Sequence, residues 1–460
     1  MNSLKVGGAL ACHVARQRAT HLDQTPVPVL YLASPGPAIR LTGMSFLHLG
    51  LGLLLLANLR LGAESFAPLT DAERLLPPTA PRLEEFVRYA EQGGWDKFTP
   101  LFRAAAQTAY ASGRLPAAER WSYVYRWSEL FAETEAHFIP HWMKEVEAAK
   151  AVHANLPRRY APQKERLGLW LSPALKTWLL THPEFSGEFF ALLSPVDYLP
   201  EVFHLLDGLH GRDPARFARY ARLALAIAVV YDLPPPPDWP HGQVYPASFP
   251  RPPPAAADAF DWWIRQDQLD RTYHPLERLG ADDLKFVVDA AAPFNELEWS
   301  QRNVDLPLAQ LDKAYTLIRY RPDRAAKEIY LWPDGAYTLS DIRRVGGICI
   351  DQAYFATQVG KARAVPTLLF RGEGMDGRHA WFGYLADNLQ WQLNAGRYGE
   401  QRFVTGYARD PQTWKEISDH ELQFLSERFR TLPAFHRSRI HQQFAADYLQ
   451  AKDPAAAIRA

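Results

Sequence analysis

The spacing of apolar residues predicts a large helical region in the first half of the chain. From Pro81 to about Tyr231, apolar side chains recur every three to four positions, with helix breakers between the segments. Aromatic residues on such faces usually pack in a core, and a peptide-binding groove is the alternative. We find no fixed repeat period. The faces include Leu83, Phe86, Val87 and Ala90; Trp121, Val124, Tyr125, Trp127 and Leu130; and Phe217, Tyr220, Ala221, Leu223 and Leu225.

A proline-rich stretch ends this region. Residues 233–254 contain ten of the 37 prolines of the chain, which excludes a helix interior or a central strand. We predict a stiff, polyproline-like linker over residues 233–257. A proline-rich ligand for an aromatic groove is the alternative.

The periodicity then changes from helical to mixed. Residues 258–311 predict further helix and loop, and residues 419–449 return to helical spacing. Helix followed by antiparallel strands is typical of an α+β arrangement. The elements predicted between them are a strand at Glu328–Trp332, helices at Thr338–Arg344 and Cys349–Lys361, and strands at Val365–Arg371, Ala380–Leu385, Leu389–Leu393 and Arg402–Tyr407, with a hairpin turn at Asp387-Asn388.

An apolar run near the start predicts an export signal. Leu47 to Ala57 is too short to cross a bilayer but fits the apolar region of a signal peptide, with Gly62 and Ala63 as the cleavage site. Met44 is a suitable initiator, so we interpret residues 1–63 as a leader. The predicted location is periplasmic or extracellular, with no stable membrane span. A retained membrane anchor is the alternative.

Composition narrows the possible functions. The 460 residues carry 51 basic and 51 acidic side chains, a balance that excludes a nucleic-acid binder. Two cysteines exclude a disulfide scaffold and zinc-thiolate sites, and no phosphate-binding or dinucleotide-binding glycine motif follows a predicted strand. We therefore expect no metal and no cofactor. Without the leader, Cys349 is the remaining cysteine, and in an oxidising compartment it is a packing residue, an intermolecular link or a reactive thiol.

Three residues form a candidate catalytic triad. Cys349 follows Gly346-Gly347 at a predicted helix start, where unsatisfied backbone amides favour a thiolate. His379 opens one predicted strand and Asn394 closes the next, so antiparallel pairing brings them to the same end of a hairpin. We assign Cys349 as nucleophile, His379 as general base and acid, and Asn394 as the group that orients His379.

An oxyanion hole completes this chemistry. The backbone N–H of Cys349 is the simplest candidate donor, since it already lies at the helix start. Trp332 and Tyr337 are the nearest side-chain donors, although packing roles fit both residues better.

These segments resemble the core of the transglutaminase-like cysteine superfamily. The similarity spans about residues 338–407 and includes Cys349 at a helix start, His379-Ala380-Trp381 in a strand, and Asn394 at the end of the following strand. The resemblance implies a papain/transglutaminase-like fold with a central helix packed on an antiparallel sheet. Position 394 departs from the usual Asp, and an amide lacks the charge that stabilises an imidazolium. Asp387 is the nearest replacement, but it lies at the predicted turn.

The sequence thus predicts an exported thiol-dependent acyl-transfer enzyme that acts on an amide bond of a protein or peptide. Hydrolysis and transamidation both stay open. The alternative is a non-catalytic interaction scaffold in which the helical domain binds a protein partner and the transglutaminase-like domain is degenerate. The predicted organisation is a leader (1–63), an all-helical domain (64–232), a linker (233–257), a transglutaminase-like domain (258–410) and a helical tail (411–460).

Overall fold

The computed structural model describes residues 66–149, 160–249, 253–374, 377–399, 404–425 and 432–460. From Leu69 onward these residues belong to one compact unit. The predicted leader, including Met44 and the apolar run, lies outside the described residues. None of the described helices is both long and apolar enough to cross a membrane.

Helices account for most of the described residues between Asp71 and Tyr231, as the apolar spacing predicts. Most residues of the faces named above are buried, with Leu83, Phe86 and Trp127 completely enclosed, while Leu130 and Ala221 are half-buried. Several helices begin with proline in their first turn, where its missing N–H costs no hydrogen bond. These helices are α1 (Asp71–Arg74), α2 (Ala80–Gly93), α3 (Thr99–Ala111), α4 (Leu115–Ala132), α5 (Glu135–Ala148), α6 (Pro173–Thr181), α7 (Pro183–Leu192), α8 (Leu199–Arg212), α9 (Pro214–Arg219) and α10 (Ala221–Tyr231).

The proline-rich segment packs closely against later parts of the chain. Its side chains Leu233, Trp239, Val244 and Phe249 are buried. Its backbone carbonyls at Gln243 and Ser248 accept hydrogen bonds from the amides of Trp332 and Tyr337. This segment therefore contributes to the core around residues 330–340.

Between the proline-rich segment and the sheet, the described residues form six α-helices and two 3₁₀ segments. Thr338 caps its helix by accepting from the Asp341 amide, and this helix confirms the one predicted at Thr338–Arg344. The helices are α11 (Ala256–Gln268), α12 (Ala281–Val288), α13 (Phe294–Asn303), α14 (Pro322–Ala326), α15 (Leu339–Val345) and α16 (Cys349–Ala362), and the 3₁₀ segments are Leu276–Arg278 and Leu308–Leu317.

The predicted strand at Glu328–Trp332 is wrong. Glu328 has a φ of 54°, in the left-handed region. The carbonyls of Ile329 and Leu331 accept hydrogen bonds from the Arg324 side chain, and the Trp332 amide donates to Gln243. These backbone groups are therefore satisfied without a neighbouring strand.

An antiparallel sheet follows α16, in the order β3-β2-β1-β4-β5. It confirms an α+β fold and the predicted pairing of the second and third strands. The fourth predicted strand begins later than expected, and the fifth was not predicted. The strands are β1 (Thr367–Gly374), β2 (Gly377–Leu385), β3 (Trp391–Ala395), β4 (Tyr407–Arg409) and β5 (Glu416–Ser418).

Helix α16 packs against β1 and β2, and all its residues are buried. The chain ends in α17 (Asp419–Leu425), α18 (Pro433–Gln450) and α19 (Pro454–Arg459). In α18, Phe444 stacks on Tyr110 of α3 with ring centroids 4.1 Å apart. The helical tail therefore returns to the N-terminal helices.

Candidate active site

Cys349 is the first residue of α16, as the sequence predicts. The side chain is a thiol outside any disulfide, and the residue is only 5% exposed. Its sulfur therefore lies at the end of the helix where backbone amides favour a negative charge.

The two glycines before Cys349 are required by close backbone packing. Gly346 has a φ of 84°, and a Cβ there would lie 2.4 Å from the carbonyl oxygen of Arg319. A Cβ on Gly347 would lie 2.4 Å from the Cβ of Asp351. The Gly347 backbone bonds to Arg319 and Arg321 on the passing chain, so this turn holds the helix start in one place.

Asp351 caps the same helix end from inside the protein. Its Oδ2 accepts from the Ile348 amide at 2.8 Å and from Arg324 Nη1 at 2.8 Å. Its Oδ1 accepts from the Tyr337 hydroxyl at 2.9 Å. Burial raises the pKa of Asp351, whereas the Arg324 charge and these hydrogen bonds lower it.

His379 is buried near the start of β2, as predicted. Its Nε2 lies 2.7 Å from the carbonyl oxygen of Gly396. Because a carbonyl only accepts, Nε2 carries the proton, and a neutral ring then has its lone pair on Nδ1. This tautomer suits a general base that acts through Nδ1.

Aromatic rings enclose the His379 imidazole. Tyr398 stacks on it with ring centroids 3.8 Å apart, and Trp381 and Tyr315 lie at 6.1 Å and 6.3 Å. Burial lowers the pKa of His379, the Gly396 carbonyl opposes this effect, and the Arg397 charge adds to it. The net effect favours the neutral imidazole over its protonated form.

Asn394 does not occupy the position predicted for it. It is exposed, and its Oδ1 accepts from Arg397 Nη1 at 2.9 Å. The strand register explains the difference, because Phe382 pairs with Ala395 and His379 is therefore level with residues beyond the end of β3. The Gly396 carbonyl takes the orienting position that the sequence assigns to Asn394.

The chain from Leu308 to Tyr320 contacts both the helix that begins at Cys349 and the strand that carries His379. The Tyr315 hydroxyl donates to the carbonyl of Ala380, next to His379, at 2.9 Å. Three residues later, the Ile318 carbonyl accepts from Gln352 Nε2 at 2.8 Å, one turn into the helix that begins at Cys349. This short segment therefore brings the start of β2 and the start of α16 to the same region.

Trp332 and Tyr337, the two side chains considered as oxyanion donors, lie in a buried cluster. Trp332 is 1% exposed and packs edge to face on Tyr337 at 5.1 Å, with Arg324 over its ring. The Tyr337 hydroxyl bonds to Asp351 and His241. Both residues lie in the core beneath the helix start, which leaves the Cys349 backbone N–H as the predicted oxyanion donor.

The sequence analysis missed Asp351, Gly396, Arg397 and Tyr398. Asp351 carried a signal, because an acidic residue at the third position of a predicted helix is a frequent cap. The other three depend on strand register, which the sequence pattern left open by several residues. Within the described ranges, we find no group of three or more His, Cys, Asp or Glu side chains arranged to bind a metal ion.

Comparisons with known proteins give no match to a protein-family profile, to a curated protein or to a solved structure.

Proposed function

We propose that this protein is a thiol-dependent acyl-transfer enzyme that acts on an amide bond, as a peptidase, an amidase or a transglutaminase-type enzyme. The observation that carries the proposal is the hydrogen bond from His379 Nε2 to the Gly396 carbonyl. It gives His379 the tautomer of a base, in a strand that packs on the helix whose first residue is Cys349.

The proposed reaction follows from these positions. His379 Nδ1 takes the proton of the Cys349 thiol, and the sulfur attacks the carbonyl carbon of the substrate. The C–N bond then breaks, and the leaving amine takes the proton from His379. Water or a second amine then attacks the thioester carbonyl and gives a proton to His379. The C–S bond breaks, and the sulfur of Cys349 takes that proton back from His379. The Cys349 backbone N–H faces the developing oxyanion at the positive end of the helix.

The transglutaminase-like arrangement belongs to this proposal. A buried central helix with Cys349 at its start, packed on an antiparallel sheet with His379 at a strand start, agrees with the resemblance of the sequence motifs. The Gly396 carbonyl orients His379 without the negative charge of the usual Asp. We therefore expect a weaker base than an Asp-supported histidine.

A thiol-directed acylating probe tests the proposal in the full chain. We expect wild type to be labelled at Cys349 at neutral pH, and Cys349→Ala to lose that label. Peptide mass spectrometry distinguishes this site from Cys12, the other cysteine. No labelling of Cys349 in wild type would contradict the catalytic proposal.

The burial of both side chains favours one alternative. Cys349 is 5% exposed and His379 is 4% exposed, which also suits an inactive domain within an interaction scaffold. Under that alternative the thiol is a small core residue. Neither wild type nor Asn394→Asp would then react with the probe.

A further inference from the structure

A chain of buried hydrogen bonds lies beneath the start of α16. It consists of His241, Tyr337, Asp351 and Arg324, which are 2%, 1%, 0% and 1% exposed. We call these four residues the clamp. Buried polar networks of this kind fix a local geometry when every member is satisfied.

The direction of each hydrogen bond in the clamp follows from chemistry. The Nδ1 of His241 accepts from the Gln243 amide at 3.3 Å, so the neutral ring carries its proton on Nε2. His241 Nε2 therefore donates to the Tyr337 oxygen, at 3.1 Å. Tyr337 in turn gives its single proton to Asp351 Oδ1 at 2.9 Å. The chain thus ends on the carboxylate that caps the helix start.

The clamp connects three separate parts of the chain to this helix end. His241 belongs to the proline-rich segment, and Arg324 binds the carbonyls of Ile329, Tyr330 and Leu331 as well as Asp351. Asp351 joins these contacts to the backbone at the helix start. Its Oδ2 accepts a hydrogen bond from the amide of Ile348, the residue directly before Cys349.

Asp351 Oδ2 accepts from the Ile348 amide and so fixes the Gly347–Ile348 peptide plane. The next peptide plane, which carries the Cys349 N–H, is held through the Ile348 carbonyl, because this carbonyl accepts from the amides of Asp351 and Gln352 at 3.0 and 3.1 Å. An oxyanion donor must be aligned to within a few tenths of an ångström to stabilise the transition state.

We propose that the clamp is a positioning device that aligns the Cys349 backbone N–H for oxyanion stabilisation. The inference rests on the proposed acyl-transfer function. Asp351 and Tyr337 are positioning residues that act through the backbone of Ile348 and Cys349. His241 makes the proline-rich segment part of the same device.

Two reactions of the same sulfur separate positioning from general structural damage. Iodoacetamide alkylates a thiolate by direct displacement and develops no oxyanion. p-Nitrophenyl acetate forms a thioester through a tetrahedral oxyanion: the S–C bond forms, the C–O bond breaks, and p-nitrophenolate leaves with the electron pair. A misaligned N–H slows the second reaction and leaves the first unchanged.

The test compares full-length wild type, Tyr337→Phe, His241→Gln and Tyr354→Phe, with Cys349→Ala as the background. Tyr354 is the matched control, since its ring lies 4.9 Å from that of Tyr337 in the same buried cluster, outside the clamp. Both rates are measured at Cys349, with alkylation taken at a pH where the thiol is fully ionised.

We expect Tyr337→Phe and His241→Gln to slow acylation by about tenfold and to change alkylation by less than about twofold. The expected loss in acylation is smaller than the roughly 10²–10³-fold loss on removing an oxyanion donor, because the N–H is displaced and not removed. Tyr354→Phe should leave both rates near those of wild type. Equal losses in both reactions, or no loss in either, would overturn the positioning role. Absence of any Cys349-dependent reaction in wild type would instead overturn the proposed function.

Discussion

At the scale of single residues, the Gly396 carbonyl determines which nitrogen of His379 is basic. The hydrogen bond between them is 2.7 Å long, and its donor must be Nε2. Gly396 itself has a φ of 87°, and its Cα faces the Tyr315 ring. The position of this carbonyl therefore depends on a residue without a side chain.

Gly396→Ala tests this dependence. The added Cβ would lie 2.5 Å from Tyr315 Cδ2, in a backbone conformation that strains any L side chain. We expect probe labelling of Cys349 to fall at least tenfold as the carbonyl moves away from His379.

Gly335→Ala is the matched control for the backbone strain. Its φ is 76°, and an added Cβ meets no described atom within 4 Å. Labelling of this variant should stay within about twofold of wild type. Equal losses in the two variants would show that strain alone, and not the Gly396 carbonyl, causes the effect.

Asn394→Asp tests the residue that the sequence predicts to orient His379. The side chain is exposed and bonds to Arg397, which also pairs with Asp419 at 3.0 Å. An aspartate there stays exposed to solvent next to the Arg397–Asp419 pair, whose two side chains are only 5% exposed, so we expect the labelling rate of Cys349 to change by less than about twofold. A large gain in labelling would show that position 394 does act on His379.

At the scale of elements, α16 is anchored at both ends by buried polar groups. Asp351 caps its first turn, and Lys361 lies in its last turn. The Lys361 ammonium donates to Asp289 Oδ1 and to the carbonyls of Phe286 and Thr367 at 2.6 and 2.9 Å. Both members of the ion pair are 4% exposed. Helix α16 is therefore fixed to α12 and to β1.

Lys361→Met should lower the free energy of unfolding by about 3–5 kcal/mol, because Asp289 stays buried without its partner. Urea denaturation measures the loss. Arg344→Met is the control, since the Arg344–Asp341 pair is 69% and 28% exposed and contributes at most about 1 kcal/mol. Similar losses in the two variants would contradict a special role for the buried pair.

At the scale of the whole molecule, a buried acidic cluster joins distant parts of the chain. Gln412 donates to both oxygens of Asp197 at 3.1 and 2.9 Å, and Lys285 bonds to Asp410 at 2.6 Å. Burial raises the pKa of Asp197 to about 7, and burial together with Asp197 raises that of Asp232. The cluster connects the region before α8 and the end of α10 to the turn between β4 and β5.

The raised pKa of Asp197 makes stability depend on pH. Between about pH 4 and pH 7 the folded protein holds a proton that the unfolded chain has released, so the contribution of Asp197 falls as pH rises. Release of one proton changes the free energy of unfolding by at most about 1.4 kcal/mol per pH unit. As the pH rises over this range, the unfolding free energy of wild type should therefore fall relative to that of Asp197→Asn. Urea curves with a constant difference at pH 5, 6, 7 and 8 would contradict the assignment.

Local signals in the sequence predicted much of this molecule. Helix faces such as Leu83–Ala90, the start of α16 at Cys349 and the strand that carries His379 follow from apolar period and turn residues. The pairing register of the strands could not be predicted in the same way, because a strand pattern fixes which face of the sheet a residue occupies but not its partner on the next strand. Asn394 was therefore placed too close to His379. The packing of the proline-rich segment depends on distant partners such as Tyr337, which local composition does not encode.

The pH dependence of Cys349 alkylation by iodoacetamide tests the central claim most directly. With His379 as its base and a helix start beneath it, the thiol of wild type should ionise with a midpoint well below the ordinary value of about 8.5, and His379→Gln should move the midpoint back towards it. A wild-type midpoint at or above about 8.5, unchanged in His379→Gln, would contradict the assignment of Cys349 and His379 as nucleophile and base.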